Sequence, residues 1–371
     1  MARHRLRNYQ SLPAIGRNVL SQTQDGTALA IGLMSGTSLD GIAAALIETN
    51  GTTITRRGPW LTVPYDKDLR QRLRDALGDT GPLDSVAHDM TLAHAEAVRS
   101  LLTVSGKNAG DIRVVGFHGH TIDHRPAEGV TRQIGDGALL AAETGIDVVA
   151  EFRAADVDAG GEGAPLAPLY HAALCRGIDQ PLCVLNIGGV ANLTWIGEDN
   201  ELLAFDTGPG NALIDDWLRR HTGATMDKDG VLAASGTACT TTVAAYLSNA
   251  YFNRPPPKSL DRLDFTLDLV AGYAPADGAA TLVAVTSAAV VRAVDYLPIS
   301  PKRWLVTGGG RHNPMIMANL STMMAAPVDP VEHIGWNGDA LEAEAFAFLA
   351  MRSLAGLPLS LPTTTGVAGP V

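Results

Sequence analysis

The residues most able to do chemistry in this chain sit at strand ends and in small-residue turns. Asp206 closes the apolar run Leu202 to Phe205 and precedes the turn Thr207-Gly-Pro-Gly-Asn211. A carboxylate at a strand end beside a cleft can act as a general base if it stays ionised within hydrogen-bond reach of the proton it takes. The same Asp-x-Gly pattern can also simply brace a turn. The stretch Ser35-Gly-Thr-Ser-Leu-Asp-Gly-Ile42 offers two glycines, three hydroxyls and the carboxylate of Asp40 between two apolar runs. Glycines let backbone N–H groups approach a ligand closely, and successive N–H groups make an anion-binding concavity. The chemistry expected of Ser35 to Ile42 is therefore the holding of nucleotide phosphates. It is not a Walker loop, since no lysine follows Gly36 or Gly41, and Ser35 lacks the spacing of a nucleophile elbow.

Glu342 is a second candidate carboxylate. The segment from Asp339 to Ala350 reads as a helix with Glu342 on the face of Phe346 and Leu349, although an acid in a first helical turn is also favoured by the helix dipole alone. His118, His120 and His124 invite a metal reading, but the run straddles a strand end and lacks the rest of a ligand set. A hydrogen bond from His118 to a sugar hydroxyl is the better expectation. Gly188-Gly189 is a second glycine turn, and Gly308-Gly-Gly310 would let a flat base or ribose lie against backbone.

These residues need a frame, and the apolar runs supply it. Strands are expected at Ala28 to Met34 and Ile42 to Ile47, with a third from Thr52 to Arg56 after the Asn50-Gly51 turn. A helix over Leu83 to Val104, a strand at Arg113 to Phe117, a helix over Gly137 to Thr144 and a strand at Ile146 to Phe152 follow. A glycine-dense loop, Ala159 to Pro165, leads to a helix through Tyr170. The opening then repeats: strands at Pro181 to Ile187, Val190 to Ile196 and Leu202 to Phe205, a helix from Ala212 to Arg220, and a later strand at Trp304 to Thr307. The two meanders lie about 150 residues apart, the spacing of a domain rather than of a solenoid repeat. The fold class expected is α/β, with two similar lobes whose glycine turns point into a common cleft.

Composition narrows the function. The chain has 371 residues, 46% hydrophobic and 18% charged, which fits two globular domains. A net charge of −11 argues against a nucleic-acid partner. Three scattered cysteines make neither a disulfide framework nor a zinc site. No run of membrane-spanning length is read from the sequence, and the arginine-bearing start lacks the apolar block of a signal peptide. A cytoplasmic location and no membrane partner are expected.

Taken together, the motifs resemble the anhydro-N-acetylmuramic acid kinases of the sugar kinase–Hsp70–actin superfamily. The carrying residues include Gly32 to Gly41, His118-Gly119 with Thr121, Gln133-Ile-Gly135, Phe152-Arg153, Gly163-Ala-Pro-Leu166, Asn186-Ile-Gly-Gly189, Phe205 to Asn211, Asp227 to Gly230, Pro257-Lys258 and Gly308 to Gly310. The resemblance implies duplicated actin/hexokinase-like (ribonuclease H-like) domains: 29–152 with 336–371, and 153–335, after a tail at 1–28. It implies ATP and Mg²⁺ as cofactors, an anhydro sugar as substrate and a homodimer. It places the base on Asp206 and the nucleotide turns on Ser35, Gly36, Thr37, Ser38, Leu39, Asp40, Gly41 and Ile42, on Gly188 and Gly189, and on Gly308, Gly309 and Gly310. The family's sugar-contacting glutamate falls on Glu342; His118, Arg153 and Asn211 are expected beside it on the sugar, and Asp40 is expected to hold the metal, directly or through water. Phe117, His120, Glu151, Glu162 and Leu260-Asp261 depart from the family pattern. They leave the anhydro sugar open, with levoglucosan or a non-catalytic sugar sensor as alternatives, and a glycoside hydrolase using Asp206 and Glu342 as the reading without a nucleotide.

Overall fold

The computed structural model describes residues 26–36, 39, 41–198 and 201–371. Thr37, Ser38 and Asp40 of the first turn lie outside the described residues, as does most of the N-terminal tail.

The first sheet begins as an antiparallel meander of β1 (Ala28–Ser35), β2 (Gly41–Thr49) and β3 (Ile54–Pro64). Two helices, α1 (Lys67–Asp75) and α2 (Leu83–Ser105), lead into β4 (Ile112–Arg125). That strand lies parallel to β1, so the chain must cross over between them, and α2 makes the crossover with Val86, Met90 and Val98 buried. Beyond β4 come β5 (Val130–Ile134), antiparallel to it, then α3 (Gly137–Thr144) and β6 (Val148–Ala150), parallel to it. Local signals set α3: the Asp136 side chain accepts from the N–H groups of Ala138 and Leu139, and Gly145 ends the helix in the left-handed region.

Short helices α4 (Ala154–Asp158) and α5 (Pro168–Leu174) connect to the second sheet. There β7 (Leu182–Ile187), β8 (Val190–Ile196) and β9 (Leu202–Pro209) form another antiparallel meander. The helices α6 (Ala212–Thr222), α7 (Val231–Ala234), α8 (Thr240–Leu247) and α9 (Pro275–Ala293) precede β10 (Trp304–Thr307). Helix α10 (Pro314–Met323) and strand β11 (Val328–Pro330) complete that lobe, before α11 (Leu341–Leu354) and α12 (Pro362–Thr365). The order in the second sheet is β9-β8-β7-β10-β11, with β10 parallel to both β7 and β11. The first sheet runs β3-β2-β1-β4 with β6 on β4, in the same directions. One strand plan occurs twice, as the repeated meander predicted.

Three structural outcomes differ from the sequence reading. Strand β4 runs through the whole histidine segment, because pairing with β5 extends it past Phe117. Strand β9 continues through Asp206 to Pro209, because its polar end pairs with Asn192, Ala191 and Val190 of β8. A stretch of membrane-spanning length and hydropathy does exist, at Pro275–Tyr296. Its apolar character has a local cause: Leu282, Val283, Val285 and Val290 pack in the core of the second lobe with Trp217.

Helix α11 comes back from the end of the second lobe to lie across the first sheet. It approaches so closely that a Cβ on Gly32 would collide with the Ala343 carbonyl, and one on Gly116 with that of Phe346. Leu341, Phe346, Phe348 and Leu349 are buried together with Ala30 and Val114 of the first sheet and Val184 and Leu305 of the second. Each such side chain contributes about 2 kcal/mol on burial, so α11 is a shared core element rather than a surface appendage. That anchorage fixes Glu342 in its first turn.

Candidate active site

A cleft of about 560 Å³ lies between the lobes, lined from both sides. Asp206, Glu342, Arg153, His118, Asn211, Ser35, Gly36, Gly188, Gly189, Gly308 and Gly309 all face it. Leu39, Gly41, Ile42 and Gly310 do not line it. Leu39 and Ile42 are buried in the core under the first sheet, Gly41 packs on the Val63 carbonyl of β3, and Gly310 packs on Ile187.

Asp206 is almost completely buried. Its Oδ2 accepts the Leu260 N–H at 2.9 Å, and its own N–H donates to the Lys258 carbonyl at 2.9 Å. Burial pushes its pKa up to about 7, against the Leu260 N–H and the charge of Arg153, which favour the carboxylate. A base poised near neutrality has the proton affinity that general-base chemistry requires.

Arg153, the residue before α4, carries a positive charge that acts on both acids. Its field favours ionisation of Asp206 and of Glu342, whose carboxyl burial pushes upward. The guanidinium donates through Nε to His118 Nε2 at 3.0 Å and through Nη1 to the Gly163 carbonyl at 2.7 Å. His118 Nε2 is therefore an acceptor, and its Nδ1 donates to the Gly119 carbonyl at 3.0 Å. With both ring nitrogens engaged, His118 addresses the cleft through Arg153 rather than by a free nitrogen. Burial, then the adjacent guanidinium, hold the imidazole neutral.

A β-bulge explains why the neighbouring histidines diverge. Leu33 pairs with Phe117 but Ser35 pairs with His120, so β4 carries an extra residue there, with Gly119 at a φ of 74°. The bulge sends His118 to the cleft and His120 behind β1, where its Nδ1 lies 2.9 Å from Ser35 Oγ. Tyr65 donates its hydroxyl to the same Ser35 Oγ at 2.7 Å. His124 also lines the cleft, with its Nδ1 3.0 Å from Thr131 Oγ1. No group of three or more metal-ligating side chains occurs among the described residues.

The second lobe builds its turn from backbone. The carbonyls of Gly188 and Gly189 accept N–H groups of Gly210, Asn211 and Ala212, so the start of α6 is tied to the turn. Gly308 has a φ of 76°, and a Cβ there would collide with Asn186 Oδ1 and the Ile187 carbonyl. Asn211 Nδ2 donates to the Ile187 carbonyl at 3.0 Å. Asn186, which sequence reasoning did not single out as a contact residue, donates its Nδ2 to Glu342 Oε1 at 3.2 Å. Its position ending an apolar strand before Gly-Gly is the signal that could have found it. Asp227 and Lys228 also line the cleft. Of the departures from the family pattern, Phe117 is buried and His120 is locked behind Ser35, whereas Leu260 and Asp261 line the cleft.

Two sheets of one strand plan, facing a cleft that holds a buried acid and glycine turns, define the duplicated actin/hexokinase-like architecture. The sequence model of the anhydro-N-acetylmuramic acid kinases matches residues 28–371. An anhydro-N-acetylmuramic acid kinase of Paramagnetospirillum magneticum is 58% identical over 345 residues, 92% of this chain and 97% of that protein. That of Rhodospirillum rubrum is 55% identical over 354 residues, 94% of this chain and 93% of its own length. Among solved structures, a ROK family glucokinase from Streptomyces griseus in complex with glucose and AMPPNP aligns at 14% identity and a TM-score of 0.45, over 87% of this chain and 99% of that one. The chain belongs to the anhydro-N-acetylmuramic acid kinase family.

Proposed function

We propose that this enzyme opens the 1,6-anhydro bridge of 1,6-anhydro-N-acetylmuramic acid with water and transfers the γ-phosphoryl group of ATP to O6. The product is N-acetylmuramic acid 6-phosphate, in the recycling of cell-wall sugar. The observation that carries the reading is Asp206: a buried carboxylate with its pKa near 7, facing an interlobe cleft beside Arg153 and Glu342.

O6 of an anhydro sugar has no proton, so the base serves water instead of the acceptor oxygen. Asp206 takes a proton as water adds to C1. The C1–O6 bond breaks with its electron pair going to O6, and O6 bonds to the γ-phosphorus as the bond to the ADP oxygen breaks. Positioning and electrostatics supply most of such a transfer. Ser35, Gly36, Gly188-Gly189, Gly308 and Gly309 are assigned to the nucleotide, with Thr37 and Ser38 of the first turn added by sequence; Leu39, Gly41, Ile42 and Gly310 are left out because they pack away from the cleft. Arg153 (oriented by His118), Asn211 and Glu342 (oriented by Asn186) are assigned to the sugar. Asp40, which lies outside the described residues, is the residue assigned by sequence to hold Mg²⁺, directly or through water; an ion of this kind usually needs only one or two protein carboxylates beside the phosphates. Bound there, it would neutralise charge on the phosphates.

The domain division we infer is 29–152 with 336–371, against 153–335, which puts Arg153 at the junction. A cytoplasmic homodimer completes the reading; sedimentation of the pure protein tests the dimer. The deciding experiment is coupled ADP release with anhydro-N-acetylmuramic acid, levoglucosan and ordinary hexoses. Turnover with the first and Mg²⁺ supports the assignment. Turnover with levoglucosan alone would change the substrate, and sugar cleavage without ATP would overturn the kinase reading.

A further inference from the structure

The acid at the centre of the cleft is gripped by a three-residue strap, Lys258-Ser259-Leu260, in which every residue has a separate anchor. Leu260 donates its N–H to Asp206 Oδ2, and the Lys258 carbonyl accepts the Asp206 N–H. Ser259 gives both its N–H, at 3.0 Å, and its hydroxyl, at 2.7 Å, to Glu162 Oε2. The other oxygen of Glu162 accepts from Arg254 Nη2 at 2.9 Å, and the Glu162 N–H donates to the Thr365 carbonyl at 2.6 Å. Glu162 thus pins the strap to the glycine-dense loop and to the C-terminal segment.

Lys258 pins it from the other side. Its side chain is buried, with the ammonium 4.6 Å from the Tyr251 ring centroid, 4.8 Å from that of Tyr296 and 5.9 Å from that of Phe205. It donates to the Tyr251 carbonyl at 3.2 Å, and the Tyr251 hydroxyl donates to the carbonyl of Asp206. An ammonium held by rings rather than by a carboxylate is attracted to their faces while its charge stays uncompensated. That charge reaches Asp206.

We propose that Glu162 and Lys258 are positioning residues for Asp206, holding the strap against it from opposite sides and, through their opposite charges, tuning how readily its carboxylate keeps a proton. The proposal rests on Asp206 being the base of the reaction described above. The charged and titratable groups facing Asp206 are Arg153, Glu162, Lys258 and the Tyr251 phenol. Arg153 and Lys258 favour the carboxylate and Glu162 disfavours it. Lys258 in turn faces Arg254 and Arg292 besides Asp206, and burial brings its own pKa down to about 8.

The test is a ¹³C-carboxyl NMR titration of aspartate-labelled protein, with the Asp206 signal assigned by its loss in Asp206→Asn, run beside the pH profile of ADP release. Glu162→Gln, which keeps an acceptor for Ser259 and removes the negative charge, is expected to move the Asp206 midpoint down by roughly half a pH unit or more. Lys258→Met is expected to move it up by a similar amount. The acid limb of kcat/KM should follow each shift. A strap with a merely structural role would move both variants in the same direction or neither, and either result overturns the proposal. If Lys258→Met does not fold, the Glu162→Gln midpoint decides alone. Absence of ADP release by the wild-type protein would remove the kinase reading, whereas the NMR midpoints would still decide the roles of Glu162 and Lys258.

Discussion

The two lobes share a strand plan yet close their cleft-facing ends by different means. In the first, side chains do it: the end of β1 is held by Ser35 between Tyr65 and His120. In the second, the backbone does it: the Gly188-Gly189 carbonyls grip the start of α6, and Gly308 lies against Asn186 and Ile187. The acid also occurs on one side only, since β9 carries Asp206 while the corresponding edge strand β3 ends at Pro64 before Tyr65. Duplication supplies a cleft with two inward-facing turns; the chemistry comes from what is not duplicated.

The strongest way to break that asymmetry is Asp206→Asn. Turnover should fall about 10³-fold, within the range general-base catalysis supplies, while ATP binding by calorimetry persists. In the wild-type protein kcat/KM should climb as pH rises through about 7, because the base must be ionised. Stability should move the opposite way. Asp206 holds its proton more tightly folded, near 7, than at the ordinary 3.8, so ionising it costs folding free energy as pH rises through that window. Thermal melts should therefore show Asp206→Asn gaining on the wild type from about pH 4 to pH 7 and levelling above it. A wild-type advantage at pH 8 would mean that the acid is a structural brace.

The backbone-built turn is next. Gly308→Val puts a Cβ into Asn186 and a branched side chain at a φ of 76°, costing about 1–3 kcal/mol, read as a lowered urea midpoint. Gly309→Ala meets only Asn211 Nδ2 at 3.6 Å, so its midpoint should stay put while the KM for ATP rises. Equal midpoints for the two variants would show that the Gly308 contact is not a constraint.

The same contrast explains what could be read before the fold was known. The meanders were legible because β1, β2, β7 and β8 are apolar runs punctuated by glycine, and their recurrence announced two lobes. Asp206, Glu342 and the glycine turns were legible as types at strand and helix ends. Strand β5, with Thr131, Arg132 and Gln133, was not expected, because its strand state comes from pairing with β4 rather than from its own composition. Nor could spacing reveal that His118 and His120 part company, since one extra residue at the Gly119 bulge decides it. The partners of Glu162 lie 97 residues away at Ser259 and 92 away at Arg254, beyond any local pattern.

The smallest expected effect tests the side-chain-built end. The Tyr65 hydroxyl is buried, its phenol strongly disfavoured from ionising, and its proton goes to Ser35 Oγ. The same Oγ lies 2.9 Å from His120 Nδ1, so one serine hydroxyl joins the three side chains into a chain. Tyr65→Phe removes the Tyr65 donor and leaves the Ser35–His120 contact in place. The loss should be about 1 kcal/mol of stability, the net worth of one buried hydrogen bond. If the chain serves only to keep the end of β1 in register, the KM for ATP will not change. If it holds the nucleotide turn in shape, KM should rise a few-fold with kcat nearly intact, while Gly309→Ala raises KM from the opposite lobe. The double variant then separates the two cases: additive effects mean that each lobe holds its part of the nucleotide alone, and coupling means that the two ends work as one site.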